Sequence, residues 1–203
     1  FFDLGMLKDA LREDTILVST MYVNNEIGTI EPIEQISKII KAYNPSILYH
    51  VDAIQAFGKL RFSPKKLGVD LMSFSGHKIH GPKGSGALYI RDKVLLRPII
   101  YGGGQQKEMR SGTENVPAIA GMGLATKLMY ENHDAKMDKM RILKQAFIDK
   151  VTAFDGVYSN SGEAPHIASI SFTGVRSEVM LHALEEREIY VSAGSACSSN
   201  KPH

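Results

Sequence analysis

The rest of the chain is arranged around Ser73-Phe74-Ser75-Gly76-His77-Lys78-Ile79-His80-Gly81-Pro82-Lys83-Gly84. The segment from Val69 to Phe74 is short, mostly apolar and rich in strand-forming residues, which predicts a buried strand. Glycine and proline then interrupt the chain before a second predicted strand, Ala87 to Ile90. We therefore expect Lys78 on a loop at a strand end, where α/β sheets carry their chemical groups. A single lysine is far more often a solvated surface amine, so its role depends on the rest of the sequence.

Strand and helix patterns alternate before this stretch. Thr15 to Val23 predicts a buried strand, and Ile47 to Val51 predicts another that ends in Asp52. Between them, apolar residues recur at steps of three and four, which predicts a helix that begins near Pro32 and ends at Asn44-Pro45. The alternation predicts an α/β fold with a mainly parallel sheet.

The second half of the chain predicts a smaller α/β unit. A glycine-rich segment, residues 101–113, is too long for a plain connection and is typical of segments that bind or bridge something. The elements predicted after it are a helical region from Val116 to Val151, a strand from Ile167 to Phe172, a helix from Ser177 to Arg187 with Ser177 as its N-cap, and a strand from Ile189 to Ser192. We therefore predict that residues 1–132 form part of a large domain and that residues 133–203 form part of a smaller domain.

The composition favours a globular protein. The chain has 203 residues, of which 43% are hydrophobic and 23% are charged, so it can bury a core. Its 24 basic and 22 acidic residues leave a formal charge of +2, which gives no electrostatic reason to expect a nucleic acid or an anionic membrane as a partner. No apolar run reaches the length of a membrane span, so we expect a cytoplasmic protein. The single cysteine excludes an internal disulfide and a multi-cysteine metal site.

Polar side chains follow three predicted strands at the point where each strand ends. They are Asn24 and Asn25, Asp52 with Gln55, and Ser75, His77 and Lys78. Parallel strands bring their carboxyl ends to one edge of a sheet, so these groups could meet in one crevice. An amine able to form a Schiff base, a carboxylate, an amide, a hydroxyl and an imidazole are what pyridoxal phosphate requires. Plainer interpretations are open as well, since Asp52, Asn25 and Gln55 could be turn or cap residues and His77 a structural histidine.

The single cysteine, Cys197, lies in a run of small residues from Ser192 to Asn200. A free cysteine is more often inert and buried than nucleophilic. However, this run has almost no apolar surface to bury, which predicts a mobile loop. Because exposed free thiols are generally disfavoured in proteins, the setting indicates a reactive cysteine.

Several of these motifs, in this order, resemble those of the pyridoxal phosphate-dependent cysteine desulfurases of iron–sulfur cluster assembly and nitrogenase maturation. The motifs are Val23-Asn24-Asn25-Glu26-Ile27-Gly28, His50-Val51-Asp52-Ala53 with Gln55, Ser73 to Gly84 around Lys78, Gly102-Gly103-Gly104-Gln105, Arg110-Ser111-Gly112-Thr113, and Gly194-Ser195-Ala196-Cys197. They extend over nearly the whole chain. The resemblance implies the fold of the fold type I pyridoxal phosphate enzymes, with a mainly parallel sheet in the large domain.

The resemblance implies a reaction and its catalytic residues. Lys78 would hold the cofactor and move the α-proton of the substrate. Cys197 would attack the sulfur of bound L-cysteine, leaving L-alanine and a protein persulfide. An iron–sulfur scaffold or another acceptor protein would then receive the sulfur. Thr113 would reach the cofactor phosphate from the other subunit of a homodimer.

The same resemblance assigns the remaining cofactor contacts. Asp52 would pair with the pyridine nitrogen, and Asn25 and Gln55 would address the phenolic oxygen of the ring. Ser75 and His77 would contact the phosphate. In this division the cofactor supplies the electronic chemistry, and the protein supplies orientation and charge.

Parts of the family pattern would lie outside this chain. A phosphate-binding loop with glycine and threonine and a histidine that stacks on the cofactor ring would come before Phe1, and an arginine for the substrate carboxylate would come after His203. We therefore expect a fragment with exposed apolar surface. Besides a cysteine desulfurase, two hypotheses stay open: an inactive truncated homologue that dimerises or binds partners, and a selenocysteine lyase. A transaminase is disfavoured, because it has no use for the nucleophilic thiol of Cys197.

Overall fold

The computed structural model describes residues 3–194, in which strands and helices alternate along most of the chain. The helices are α1 (Leu4–Ala10), α2 (Ile33–Tyr43), α3 (Pro64–Leu67), α4 (Val116–Tyr130), α5 (His133–Val151) and α6 (Ser177–Glu185). The strands are β1 (Leu17–Met21), β2 (Leu48–Asp52), β3 (Leu71–Ser75), β4 (Gly86–Ile90), β5 (Val157–Ser159) and β6 (Ile170–Phe172). A short 3₁₀ turn spans Gly76–Ile79, and Gln105–Glu108 is a tight turn with non-helical backbone angles at Gln106 and Lys107. Within residues 3–194, no helix is both long enough and apolar enough to cross a membrane.

The chain divides into two compact units. The first consists of Phe1–Tyr22 and Glu31–His133, and the second of Val23–Ile30 and Asp134–His203, as far as these ranges are described. The first unit holds β1 to β4 and α1 to α4, and the second holds nearly all of α5 together with β5, β6 and α6. The assignment of residues 1–132 and 133–203 to a large and a small domain stays a prediction.

A four-stranded sheet organises the first unit, in the order β1-β2-β3-β4. Strands β1, β2 and β3 are parallel, and β4 returns antiparallel to β3. The register places Asp52 beside both Met21 and Ser73, so the carboxyl ends of three neighbouring strands meet at one edge. The predicted α/β fold with a mainly parallel sheet is confirmed.

The core of the first unit lies between the sheet and α2. The fully buried side chains include Tyr49, Val51 and Met72 from the strands and Ile33, Ile36 and Ile40 from α2. The α2 residues recur at three and four positions, which puts them on one face of the helix. Burial of this apolar face, more than helix propensity, stabilises so short a helix.

A buried carboxylate connects the helix to the sheet. Asp70 is 0% exposed, and its Oδ2 accepts hydrogen bonds from Lys41 Nζ at 2.6 Å and from the backbone N–H of Tyr49 at 2.7 Å. Its Oδ1 lies 2.6 Å from Arg91 Nε. These partners come from α2, β2 and the residue that follows β4. Such a set of donors offsets the large cost of removing a charge from water.

A lysine holds the turn at residues 162–164 against α5 in the second unit. Lys144 Nζ donates to the carbonyl oxygens of Gly162 at 2.5 Å and Ala164 at 2.8 Å. The N–H groups of the same two residues donate to the carbonyls of Ile27 and Gly28 at 2.6 and 2.9 Å. The segment Val23–Ile30 is therefore fixed by backbone hydrogen bonds within its own unit.

Several elements differ from the sequence-based prediction. Helix α1 and strand β5 are not predicted, and β6 begins at Ile170 rather than Ile167. The helical region from Val116 to Val151 is broken between α4 and α5, because Glu131 is extended and Asn132 has a left-handed backbone with φ of 50°. Ser177 is the first residue of α6, and the cap position is taken by Arg176 without a side-chain hydrogen bond. The strand predicted from Ile189 to Ser192 is wrong: within residues 3–194 no strand pairs with this segment.

Candidate active site

The carboxyl ends of β2 and β3 hold the polar residues that the sequence singled out. Asp52 is the last residue of β2, and Ser75 is the last residue of β3. The backbone N–H of Ala53 donates to the carbonyl of Ser73 at 3.0 Å, so the two strands remain paired up to their ends. The first unit therefore brings Asp52 and Ser75 to the same edge of the sheet.

Lys78 lies in the 3₁₀ turn Gly76–Ile79, directly after β3. The N–H groups of His80 and Gly81 both donate to the carbonyl of Gly76, which closes the turn. Lys78 is exposed, whereas Ile79 is 1% exposed. The turn is thus anchored by a buried isoleucine while the lysine side chain stays accessible.

Ser75 and His77 are joined by a hydrogen bond across this turn. The distance between Ser75 Oγ and His77 Nδ1 is 2.6 Å. The pair sets a hydroxyl and an imidazole side by side, next to the lysine. These groups are suitable partners for the oxygens of a phosphate.

Asp52 and Gln55 belong to the turn that follows β2. Asp52 Oδ1 accepts a hydrogen bond from the backbone N–H of Ile54 at 2.9 Å, so the carboxylate has the turn-stabilising role of the plainer interpretation. The Asp52 side chain is half-buried, and Gln55 is buried. A half-buried carboxylate at the strand end is also a suitable partner for a protonated pyridine nitrogen.

The turn that contains Lys78 packs closely on the neighbouring turn. Gly58 has a φ of +78°, and a Cβ atom at this position would lie 2.8 Å from Ile79 Cγ2. The N–H of Gly58 donates to the hydroxyl of Tyr130, the last residue of α4, at 3.3 Å. Helix α4 therefore packs against both the turn that contains Gly58 and the turn that contains Lys78.

Lys59 belongs to this site, and our reading of the sequence did not find it. It is 7% exposed, and its Nζ donates a short hydrogen bond to the backbone carbonyl of Lys78. Burial lowers the pKa of Lys59 to about 8, with a further contribution from the positive charge of Lys78. The available signal is weak: Lys59 stands among small and apolar residues, between Gln55 and Leu60, in an otherwise buried turn.

His50 is a second residue with an unexpected part in the site. Its Nδ1 lies 2.7 Å from Ser19 Oγ, and its Nε2 lies 2.8 Å from Ser73 Oγ. The three side chains form a row across β1, β2 and β3, two residues before Asp52. Burial lowers the pKa of His50, and the negative charge of Asp52 opposes this shift.

Thr113 lies in the glycine-rich segment after β4 and is exposed. The segment is held by Ser111, whose Oγ donates to the carbonyl of Gly103 at 2.9 Å and whose N–H donates to the carbonyl of Ile100 at 3.2 Å. Three consecutive residues, 106–108, have left-handed backbones, which cost roughly 1–2 kcal/mol each in residues other than glycine. The segment is therefore a fixed, irregular structure rather than a simple connection.

Two of the predicted site residues are not brought to this edge by the first unit. Asn25 is exposed in the turn of the second unit, where Asn24 Oδ1 accepts the N–H groups of Glu26 and Ile27 at 2.9 and 3.0 Å. Cys197 lies outside the described residues.

The groups assembled in the first unit fit pyridoxal phosphate by their chemistry. They comprise an accessible primary amine at Lys78, a half-buried carboxylate at Asp52, and a linked hydroxyl and imidazole at Ser75 and His77. A lysine on a turn at the carboxyl edge of a mainly parallel sheet, next to such groups, is typical of the α/β enzymes that use this cofactor.

The comparison with known proteins gives the family. The sequence matches the class-V aminotransferase family over residues 1–203, and the chain belongs to that family. This is a family of pyridoxal phosphate enzymes, in agreement with the residues at the sheet edge.

The most similar curated proteins include several named cysteine desulfurases. The chain is 46% identical to "Cysteine desulfurase IscS" of Dictyoglomus turgidum, over 98% of this chain and 51% of that protein. It is 43% identical to "Putative cysteine desulfurase IscS 1" of Bacillus subtilis, over 95% of this chain and 52% of that protein. The chain spans about half the length of the curated relatives it matches.

Solved structures with the same fold include NifS-like proteins. One described as "NIFS-LIKE PROTEIN" matches 94% of this chain with a TM-score of 0.90 and 41% sequence identity, and the match covers 53% of that protein. The NifS-like protein from Rickettsia africae matches 95% of this chain with a TM-score of 0.87 and 35% identity, and the match covers 54% of that protein. The implied fold type is therefore confirmed.

Proposed function

We propose that this chain carries the pyridoxal phosphate site of a cysteine desulfurase, with L-cysteine as substrate. The observation that carries the proposal is the position of Lys78, exposed on a turn at the end of β3 beside the Ser75–His77 pair and supported by a buried neighbour. The similarity to proteins named cysteine desulfurase supports the choice of reaction within the family.

The chain's residues would divide the work of holding the cofactor. When bound, pyridoxal phosphate supplies an electron sink for bonds at the α-carbon of the substrate. Lys78 would hold the cofactor through its amine and would move the α-proton of the substrate. Asp52 pairs with the pyridine nitrogen and keeps it protonated, and Gln55 and Asn25 address the phenolic oxygen. We place Ser75 and His77 at the phosphate.

Cys197 supplies the nucleophile for sulfur transfer. Its thiolate attacks the sulfur of the substrate, which forms a sulfur–sulfur bond and breaks the bond between that sulfur and the β-carbon. The electron pair of the broken bond stays with the carbon skeleton, which takes up a proton and leaves as L-alanine. The proton lost by the Cys197 thiol balances the one gained, so the step needs no external oxidant or reductant.

The proposal includes a second copy of this chain as a partner. Thr113 would contribute to the phosphate site of the other copy, and the large exposed side chains before its segment support an interface there. Leu95 and Ile99 are 92% and 91% exposed. We further propose that an iron–sulfur scaffold or another acceptor protein takes the sulfur, in the cytoplasm.

The reaction is tested in the longer protein that the resemblance implies, which also carries the phosphate loop, the stacking histidine and the substrate arginine. It is incubated with pyridoxal phosphate, L-cysteine and a thiol reductant, and L-alanine and sulfide are measured. We expect both products in equal amounts. Cys197→Ser should abolish both while leaving the visible absorbance of the bound cofactor intact, because serine cannot accept the sulfur. Alanine formation at the unchanged rate by Cys197→Ser would exclude Cys197 as the nucleophile, and no product from the unaltered protein would contradict the proposal.

A further inference from the structure

The residue beneath Lys78 is itself a lysine, and it has a contact that the proposed reaction does not use. Lys59 Nζ donates a hydrogen bond to the backbone carbonyl of Lys78, and only 7% of Lys59 is exposed. Lysine is among the residues least often buried, because its ammonium group loses water on burial. A buried lysine with a defined acceptor therefore indicates a specific structural or functional demand.

The acceptor of this hydrogen bond belongs to the backbone of the turn that carries the reactive lysine. The carbonyl of Lys78 lies inside the 3₁₀ turn Gly76–Ile79, whose closing hydrogen bonds both end on Gly76. A donor fixed on the Lys78 carbonyl restrains the orientation of the peptide unit on which the Lys78 side chain is mounted. Lys59 thus acts on the backbone of the reactive residue rather than on its amine.

The donor is itself held firmly. The backbone N–H of Lys59 donates to the carbonyl of Ala56 at 3.0 Å, and the preceding residue, Gly58, is fixed by the hydroxyl of Tyr130. Gly58 is also packed too closely on Ile79 to accept a side chain. The turn with Lys59 and the turn with Lys78 are therefore joined at two points, one apolar and one polar.

We propose that Lys59 is a positioning residue that tethers the peptide unit of Lys78 and thereby fixes the direction in which the reactive amine leaves the turn. The inference deepens the proposed function and rests on it for the role of Lys78. The tether persists when Lys59 loses its proton, because a neutral amine still donates hydrogen bonds. It is therefore distinct from a charge effect on the reaction.

The first test uses the cofactor-free protein, so it does not depend on the reaction. Lys59→Met keeps the length and apolar stem of the side chain and removes the donor. We expect amide hydrogen exchange in a peptide covering residues 76–81 to become about tenfold faster, as the loss of one hydrogen bond would produce. Exchange in a peptide covering α2, residues 33–43, should not change.

A matched control distinguishes the tether from the general loss of a buried lysine. Lys144→Met removes another lysine that donates to backbone carbonyls, at residues 162 and 164 in the second unit. It should leave exchange at residues 76–81 unchanged. Unchanged exchange in Lys59→Met, or equal acceleration in both variants, would overturn the proposal. If Lys59→Met does not fold, Lys59→Leu serves instead, and acceleration is again expected because leucine has no hydrogen-bond donor.

The second test asks whether the tether orients the bound cofactor. Visible circular dichroism of bound pyridoxal phosphate reports how rigidly the protein holds the ring. We expect a weaker signal per unit of absorbance in Lys59→Met than in Lys144→Met or the unaltered protein, and an equal signal in all three would contradict an orienting role. An unaltered protein without any visible band would contradict the proposed function instead, and the exchange experiment would still decide the tether.

Discussion

Lys59 and Lys78 have the same side chain, and burial separates their roles. Lys59 is 7% exposed and Lys78 is exposed. For Lys59 the loss of water disfavours the charged form, which lowers its pKa from 10.5 to about 8. The unfolded chain then holds the proton more tightly than the folded one, so the protonated lysine opposes folding.

The pH dependence of stability follows from this difference. The free-energy penalty for burying the charged Lys59 is fully present below pH 8 and is relieved as the pH rises from 8 to 10.5. The free energy of unfolding of the unaltered protein, relative to Lys59→Met, should therefore rise over this window by up to about 3 kcal/mol. Denaturant titrations at pH 7, 9 and 10.5 measure it. A relative stability that stays constant or falls over the window would show that Lys59 is not buried as described.

Removing the Ser75 hydroxyl tests the proposed phosphate contact. Ser75→Ala loses a hydrogen-bond donor and the partner of His77 Nδ1. We expect affinity for pyridoxal phosphate to fall about tenfold, the effect of roughly 1–1.5 kcal/mol. Ser63→Ala is the matched control, because Ser63 precedes α3 without a side-chain cap hydrogen bond. Equal affinities in the two variants would remove Ser75 from the phosphate site.

The sequence predicts site residues that lie at the ends of strands, and it does not predict site residues whose role depends on burial. Asp52 and Ser75 end β2 and β3 as expected. The sequence does not single out Lys59, because the small and apolar residues around it are only a weak sign that a lysine is buried. Cys197 lies outside the described residues, so its reactivity stays a prediction.

At the scale of elements, Asp70 holds together parts of the chain that are distant in sequence. It joins Lys41 of α2, the N–H of Tyr49 in β2 and Arg91 after β4. We therefore expect the carboxylate to contribute to the stability of this part of the first unit.

Asp70→Asn tests this connection. The change removes the buried negative charge and leaves Lys41 and Arg91, whose side chains are 25% and 49% exposed, to be solvated. We therefore expect a loss of about 1.5–3 kcal/mol, the contribution of a hydrogen bond to a charged group. Asp138→Asn is the control, since its ion pair with Arg141 is exposed and should contribute less than about 1 kcal/mol. Denaturant unfolding of both variants measures the difference, and similar losses would contradict the structural role of Asp70.

Gly58 and Gly84 allow the cost of a left-handed backbone to be measured separately from the cost of close packing. Gly58 and Gly84 both have a φ of +78°, but only Gly58 has a close neighbour, Ile79 at 2.8 Å from the added Cβ. Gly84→Ala should cost about 1–2 kcal/mol of stability, the conformational cost alone. Gly58→Ala should cost more, since Ile79 must also shift. Equal losses would mean that the two turns are not in tight contact.

The elements that were predicted well have periodic or buried patterns, and the errors fall where a partner decides the structure. Helix α2 and strands β2 and β3 occur where their patterns indicate. Ile189 to Ser192 consists of residues that favour strands, but a strand also requires a neighbour with which to form hydrogen bonds. The break after Tyr130 comes from the backbone of Glu131 and Asn132, which apolar periodicity does not reveal.

At the scale of the whole molecule, the first unit leaves large apolar side chains in contact with solvent. Leu95 and Ile99 are the most exposed, and Tyr101 next to them is 77% exposed. Covering one such aliphatic side chain contributes about 1.5–3 kcal/mol. The expectation of exposed apolar surface is therefore met among residues 3–194. We propose that a second copy, rather than further segments of a longer protein, covers the part at Leu95 and Ile99.

Sedimentation of a charged double variant tests this pairing. Leu95→Asp with Ile99→Asp places two charges where we propose an interface. We therefore expect the dissociation constant of the dimer to be at least about tenfold higher than in the unaltered protein. Ile142→Asp, an exposed position on α5, is the control and should not change the sedimentation coefficient. A double variant that dimerises as well as the control would exclude this surface.

The most direct test of the central claim is to locate the lysine that binds pyridoxal phosphate. The protein is incubated with the cofactor, reduced with borohydride and digested, and the peptide that carries the phosphopyridoxyl group is identified by mass spectrometry. We expect a single modified site at Lys78, which is lost in Lys78→Ala. Modification at Lys59, Lys83 or another lysine in place of Lys78 would contradict it.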